Sequence, residues 1–284
     1  MKPRDIHEAH RAATPLELLF DLVSVIAIAS AAAGLHHAVA EAHFADGIVK
    51  FATAFFGVWW AWMNYTWFAS AYDNDDTLFR LLTMVIMSGA LVMAAGINAF
   101  FESTDLTLIV IGYVIMRLIM VVLWLRAARY DLACRRTALW YAGGIAIAQA
   151  YWVTLLFRQP DPGLGFYALF ALGAILEVAV PALAEKNGST PWHRHHIMER
   201  YGLLTIIVLG ETLLAAAMAT LLSSPQGRRW ARALQCWSIS SPITQKWVCG
   251  SLAMRWRCRW RFICWDCSLC AIASYSAAPR DTRC

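Results

Sequence analysis

The chain has 284 residues, 60% of them apolar and only 15% charged, with a mean hydropathy of +0.51. A soluble domain is nearer about half apolar and about a quarter charged, so an ordinary soluble enzyme or nucleic-acid-binding module is excluded. The formal net charge of +5 is no basic binding surface either, because residues 225–284 alone hold 10 of the 24 Lys and Arg against two acids, Asp266 and Asp281.

A helix crossing a bilayer needs about 20 predominantly apolar residues. Seven such runs follow one another: Leu16–Ala38, Ile48–Tyr72, Leu78–Phe101, Leu106–Leu125, Ala138–Phe157, Phe166–Leu183 and Tyr201–Leu222. The expected fold is therefore all-α, a polytopic transmembrane bundle of about seven spans with the lipid bilayer as its first partner. The links between runs carry turn chemistry and charge, as in Asp73-Asn74-Asp75-Asp76, Glu102-Ser103-Thr104-Asp105 and Gln159-Pro160-Asp161-Pro162-Gly163. The first run contains Glu17 and Asp21 and no small-residue cleavage pattern follows it, so it is expected to stay in the protein. Basic residues set the orientation. Lys2, Arg4 and Arg11 precede the first run, and Arg126, Arg129, Arg135, Arg136, Lys186, Arg194 and Arg200 fall in links on the same side. Only Lys50 and Arg158 fall opposite, which predicts an N-terminus inside.

After Leu222 the composition changes. Residues 225–284 hold 7 of the 8 cysteines and 6 of the 14 tryptophans, and Arg255, Arg257, Arg259 and Arg261 alternate with Trp256, Cys258, Trp260 and Phe262. Such enrichment is what a GC-rich gene yields out of frame, so residues 1–222 are expected to form the membrane domain and 223–284 an aberrant, frameshifted and irregular tail. Cys264-x-x-Cys267-x-x-Cys270 offers no four-ligand zinc pattern in a defined fold.

An ionisable group in hydrocarbon costs at least about 2.5 kcal/mol and normally faces the protein interior with a partner. Six positions qualify: Glu17 and Asp21, four apart on one face of the first span; Asn64 in the second; Arg117 midway through the fourth; Glu177 in the sixth; and Glu211 in the seventh. One arginine cannot neutralise three or four carboxylates, which points to an ion or proton pathway. The alternative is that the groups pair only to orient helices, with Arg117 taking Glu177 or Glu211. Arg200 and Glu211 share a helix face, placing a base at the mouth of the seventh span and an acid below it. The aromatic residues Trp59, Trp60, Trp62, Tyr65, Trp67 and Phe68 of the second span suit an interfacial belt or packing face better than a ligand cage.

His193, His195 and His196 are weak metal candidates, with His195 and Glu199 one helical turn apart, but an ordinary polar helix entry fits them better. No metal or other cofactor is expected. The lysines, Lys2, Lys50, Lys186 and Lys246, avoid mid-span positions, which excludes a retinal Schiff base. No phosphate-binding Gly-rich loop or nucleophile elbow is present, excluding ATP-driven transport and serine hydrolysis.

Three ordered segments carry a resemblance. They are Thr14-Pro15-Leu16-Glu17-Leu18-Leu19-Phe20-Asp21, then Trp59-Trp60-Ala61-Trp62-Met63-Asn64-Tyr65-Thr66-Trp67-Phe68 running into Asp73, Asp76 and Arg80, and finally His196-Ile197-Met198-Glu199-Arg200-Tyr201-Gly202 through Gly210-Glu211. Over residues 14–222 the chain resembles the bacterial low temperature requirement A (LtrA) family of integral membrane proteins. The resemblance implies a multi-pass protein of the bacterial inner membrane and marks Asp73, Asp76, Arg80, Glu199 and Arg200 as motif residues beside Glu17, Asp21, Asn64 and Glu211. It supplies no substrate. A secondary transporter or channel for a proton, small ion or solute is the leading expectation. A non-transport sensor or assembly protein comes second and a metal-dependent membrane enzyme third.

Overall fold

The computed structural model describes residues 13–72, 75–158 and 163–223. Over these the chain forms seven α-helices and no strand. They are α1 (Pro15–Ala40), α2 (Phe44–Tyr72), α3 (Thr77–Ser103), α4 (Thr107–Tyr130), α5 (Arg135–Arg158), α6 (Leu164–Ala184) and α7 (Arg194–Ser223), with a short helical turn at Glu185–Asn187. Five of them, α1 and α3 to α6, are long and apolar enough to cross a membrane. In α2 the four indoles, Tyr65 and Asn64 lower the hydropathy of a helix that is nevertheless 29 residues long. The helices match the seven apolar runs, but α7 begins at Arg194 rather than Tyr201. Its polar first turns belong to the helix because His196 and Arg200 are buried against partners on other helices, while Arg194 and His195 are exposed. The tail expected to be aberrant lies outside the described residues.

The start of α1 shows why Thr-Pro-x-Glu opens a helix. Thr14 Oγ1 accepts from the Glu17 amide at 3.3 Å, and the Glu17 carboxylate accepts from the Thr14 amide at 2.8 Å. This reciprocal capping box, with Pro15 supplying a preset φ at the first helical position, satisfies two end donors. It also fixes the rotation of α1, and hence the direction in which Glu17 and Asp21 point.

Helices α3, α4, α5 and α6 pack in sequence, α1 lies against α2 and α3, and α2 reaches both α3 and α4. Small residues let α3 and α4 approach closely: a Cβ on Gly112 would stand 2.5 Å from both the Gly89 carbonyl oxygen and the Met93 amide nitrogen.

Burial is inverted relative to a water-soluble protein. Leu22, Ile147 and Ile175 are 53%, 70% and 64% exposed, whereas Glu17, Asp21, Arg117, Glu177 and Arg200 are 0% exposed. Apolar side chains outward and charges inward are what a lipid solvent selects.

Candidate functional site

Helix α2 organises the polar interior. It carries two stripes at helical spacing, Trp62, Thr66 and Ser70 on one side and Trp60, Asn64 and Trp67 on another. Each stripe meets a separate buried cluster.

The first cluster joins α1, α2 and α7 through three pairs spaced i to i+4: Glu17 and Asp21, Trp62 and Thr66, His196 and Arg200. Arg200 Nη2 donates to Asp21 Oδ1 at 2.7 Å and more weakly to Thr66 Oγ1 at 3.4 Å. Its Nη1 lies 3.7 Å from Glu17 Oε1. The indole N–H of Trp62 donates to the same Asp21 oxygen at 2.6 Å. His196 Nε2 shares a hydrogen bond with Glu17 Oε2 at 3.3 Å and stands 3.2 Å from Oε1, so an Nε2–H tautomer or an imidazolium donates to Oε2. One turn further along α2, the Ser70 hydroxyl accepts from the His193 amide at 3.0 Å, just ahead of α7. Among the described residues, two carboxylates thus face one guanidinium and one imidazole.

The second cluster joins α2, α4, α5 and α6 around Glu177. Arg117 Nη2 donates to Glu177 Oε2 at 2.5 Å, and Trp60 Nε1 donates to the same oxygen at 3.1 Å. Gln149 Nε2 donates to Oε1 at 2.9 Å. The Tyr113 ring lies 5.8 Å from the guanidinium carbon of Arg117. Arg117 Nε and Nη1, Gln149 Oε1 and the nearby indole N–H of Trp152 find no protein partner among the described residues. Two of the three nitrogens of this buried guanidinium are therefore unmet, as are Nε and Nη1 of Arg200 in the first cluster, a costly arrangement unless another polar group supplies acceptors.

A cavity of about 360 Å³ lies one turn of α2 from this cluster, lined by Asn64, Trp67, Trp124, Tyr141, Glu185 and Trp192 among others but not by Trp60, Arg117, Gln149 or Glu177. Asn64 turns its amide N–H onto the Trp60 carbonyl at 2.8 Å, so the cavity wall and the donor to Glu177 belong to one helical turn.

The sequence of the chain is matched from residue 12 to residue 241 by the model of the bacterial low temperature requirement A protein family. The chain belongs to that family. An uncharacterized protein of Rhizobium meliloti (strain 1021) is 27% identical over 243 residues, covering 82% of this chain and 56% of the relative. The LtrA chain thus spans little more than half the length of that curated relative. No solved structure matches it.

The fold separates the residues expected from the LtrA motifs. Glu17, Asp21 and Arg200 come together. Asp76 pairs with Arg126 at the head of α3, its carboxylate taking both guanidinium nitrogens at 3.0 and 2.5 Å. Arg80 forms an exposed fork with Asp75 at 2.8 and 2.6 Å. Glu199 is half-buried on α7, and Glu211 is half-buried further along α7 in neither cluster. Asp73 lies outside the described residues. Of the histidines, His195 is exposed, His193 offers its ring Nδ1 to the His196 amide at 3.3 Å, and His196 turns to Glu17. Among the described residues no three His, Cys, Asp or Glu side chains form a metal-holding group.

One expectation is corrected. Arg200 is not a base set above Glu211 but a second buried arginine, so two arginines rather than one face Glu17, Asp21 and Glu177. Of the belt and the packing face expected of the α2 aromatics, Trp60 and Trp62 take the packing face, both buried and donating to carboxylates. Gln149 and Glu185 were not singled out in the sequence. A lone amide midway through the fifth apolar run is the same kind of signal as Arg117 and could have found Gln149.

Proposed function

We propose that this LtrA protein is a proton-coupled or ion-coupled secondary transporter crossing the inner membrane seven times with its N-terminus inside, and that Glu177 with Arg117 is its working centre. The single observation that carries this is the second cluster: one buried carboxylate receives donors from α2, α4 and α5 one turn of α2 from a cavity, and Arg117 keeps Nε and Nη1 without an acceptor among the described residues. A proton on Glu177 weakens its hold on three helices at once. Arg117, then freed, needs another acceptor, which couples protonation to the binding of a solute or to a helix shift. Of the other pathway candidates, Asn64 lines the cavity, while Glu17 and Asp21 belong to the bracing of α1 against α7, and Glu211 is assigned no role.

The test is pH-driven flux in proteoliposomes. Because Glu177→Gln alone leaves Arg117 uncompensated, the double variant Arg117→Gln with Glu177→Gln is compared with it, as it removes both charges and keeps hydrogen-bonding side chains. Loss of pH-dependent flux in a double variant that still purifies as a folded species supports the centre. Undiminished flux sinks it.

The one-to-one pairing of Arg117 with Glu177 favours a second reading, a sensor or assembly protein in which the pair only orients α4 and α6. There the double variant supports growth at low temperature as the parent does. The tail beyond Ser223 is proposed to be frameshifted on its composition, and the nucleotide sequence around codons 220–230 decides it.

A further inference from the structure

We infer that the cavity between α2, α4, α5 and the end of α6 is a binding site for a small organic ammonium cation. Its volume of about 360 Å³ falls in the range of small-molecule sites, about 300–1,000 Å³. Four aromatic residues line it: Trp67, Trp124, Tyr141 and Trp192. They are held in two pairs, Trp124 stacked parallel on Tyr141 with centroids 4.1 Å apart and Trp67 against Trp192 at 4.8 Å. Pairing fixes the rings, so little ordering entropy is lost when a guest enters.

The lining is electrostatically one-sided. It contains the carboxylate of Glu185 and no Arg, Lys or His. Glu185 is held in place by Tyr141, whose hydroxyl donates to Oε1 at 3.0 Å, and by Thr190, which donates from Oγ1 to Oε1 at 2.9 Å and from its amide to Oε2 at 3.1 Å. Among the described residues no cation pairs with it. Electron-rich ring faces together with a fixed, unneutralised carboxylate attract an alkylated ammonium group and repel an anion. Such a ligand can be a free solute or the headgroup of a lipid, and the chemistry of recognition is the same. The inference names a ligand class beyond the proposed transport and holds whether or not the protein moves what it binds.

The test is isothermal titration calorimetry on the full-length protein in detergent micelles. The probes are choline, its neutral isostere 3,3-dimethylbutan-1-ol, and glycerophosphocholine. Saturable binding of choline or glycerophosphocholine with at least about tenfold preference over the neutral isostere, equivalent to about 1.4 kcal/mol, is the expected result. Which of choline and the zwitterionic glycerophosphocholine binds tighter tells a free solute from a headgroup. Glu185→Gln and Trp192→Ala each weaken binding about tenfold, while Trp140→Ala, half-exposed and outside the cavity, leaves it unchanged. The double variant Arg117→Gln with Glu177→Gln keeps the affinity, so failure of transport and failure of binding are separately visible. Equal affinity for the neutral isostere, or no saturable heat from either choline or glycerophosphocholine with the parent protein, overturns the inference without any variant.

Discussion

Replacing Arg200 with Met removes the one fixed cation of the first cluster while keeping a long apolar stem. Arg200, Glu17 and Asp21 are all 0% exposed. Arg200 reaches Asp21 at 2.7 Å and Glu17 at 3.7 Å. Without it two carboxylates four residues apart lose a guanidinium that contacts both, and His196, Trp62 and the α1 cap are the donors that stay. Removing one partner of a buried ion pair costs about 3–5 kcal/mol because the other charge stays buried and uncompensated. For a helical domain of this size about 1 kcal/mol moves a melting temperature by about 2–4 °C, so a fall of about 10 °C follows. Intrinsic tryptophan fluorescence on heating in detergent reads it directly, since Trp62 sits in the cluster. Adding Asp21→Asn recovers part of the loss, because one of the two stranded charges is gone; the coupling expected for residues in contact is about 0.5–3 kcal/mol. The control is Arg80→Met, which breaks an ion pair whose side chains are 53% and 55% exposed and which therefore contributes little. If Arg200→Met melts with Arg80→Met, the buried cluster does not brace α1 against α7.

Three more outcomes are expected. Gly112→Leu forces α4 off α3, because even a Cβ meets the Gly89 carbonyl at 2.5 Å; overpacking of this kind costs about 1–3 kcal/mol, and a variant melting with the parent would deny the close approach. Hydrogen bonding to Arg126 holds the Asp76 carboxyl below its ordinary value of 3.8. A depressed folded value means the stabilisation is fully present above pH 3.8 and is lost as pH falls through the folded value. Melting curves of the parent and Asp76→Asn should therefore differ near neutrality and converge in acid, and a gap that widens in acid would refute the sign. Trp62→Phe keeps the ring and removes the indole N–H from Asp21, 2.6 Å away; stranding part of that carboxylate lowers stability by about 1–3 kcal/mol, checked by the same melts.

The helices themselves were legible because their signal is local. Seven apolar runs bounded by Pro, Gly and acidic turns need no knowledge of the rest of the chain, and the Thr14 capping box can be read from four residues. The interior was legible only in part. Glu17 with Asp21 was visible as an i to i+4 pair, and His196 with Arg200 carries the same spacing. That the two pairs interlock depends on contacts 179 residues apart in sequence, which no local pattern encodes. The run His193-Arg194-His195-His196 looks like a loop because its polarity is judged without its partners. Once Glu17 and Ser70 supply acceptors, the same residues form the first turns of α7. The apparent excess of acids arose from assigning Arg200 to the membrane surface.

The two clusters differ in a way that separates fold from activity. In the first, the carboxylates are held by donors from α2 and α7 and by the cap of α1, and these are the residues on which the family resemblance rests. In the second, Arg117, Gln149 and Glu177 lie outside the quoted motifs, and the cluster lies one turn of α2 from a cavity. Arg117 and Arg200 both keep Nε and Nη1 without a hydrogen-bond partner among the described residues, so what sets the second cluster apart is the neighbouring cavity, a place where a centre that exchanges partners can find another acceptor. Neutralising each cluster should therefore give opposite phenotypes. Arg117→Gln with Glu177→Gln keeps the melting temperature near that of the parent, since a buried pair replaced on both sides is close to neutral in stability, and loses pH-dependent flux. Arg200→Met loses stability first, and flux only as the folded population falls. Identical ordering of stability and flux across both sets of variants would mean that α2 carries two scaffolding stripes and no working centre.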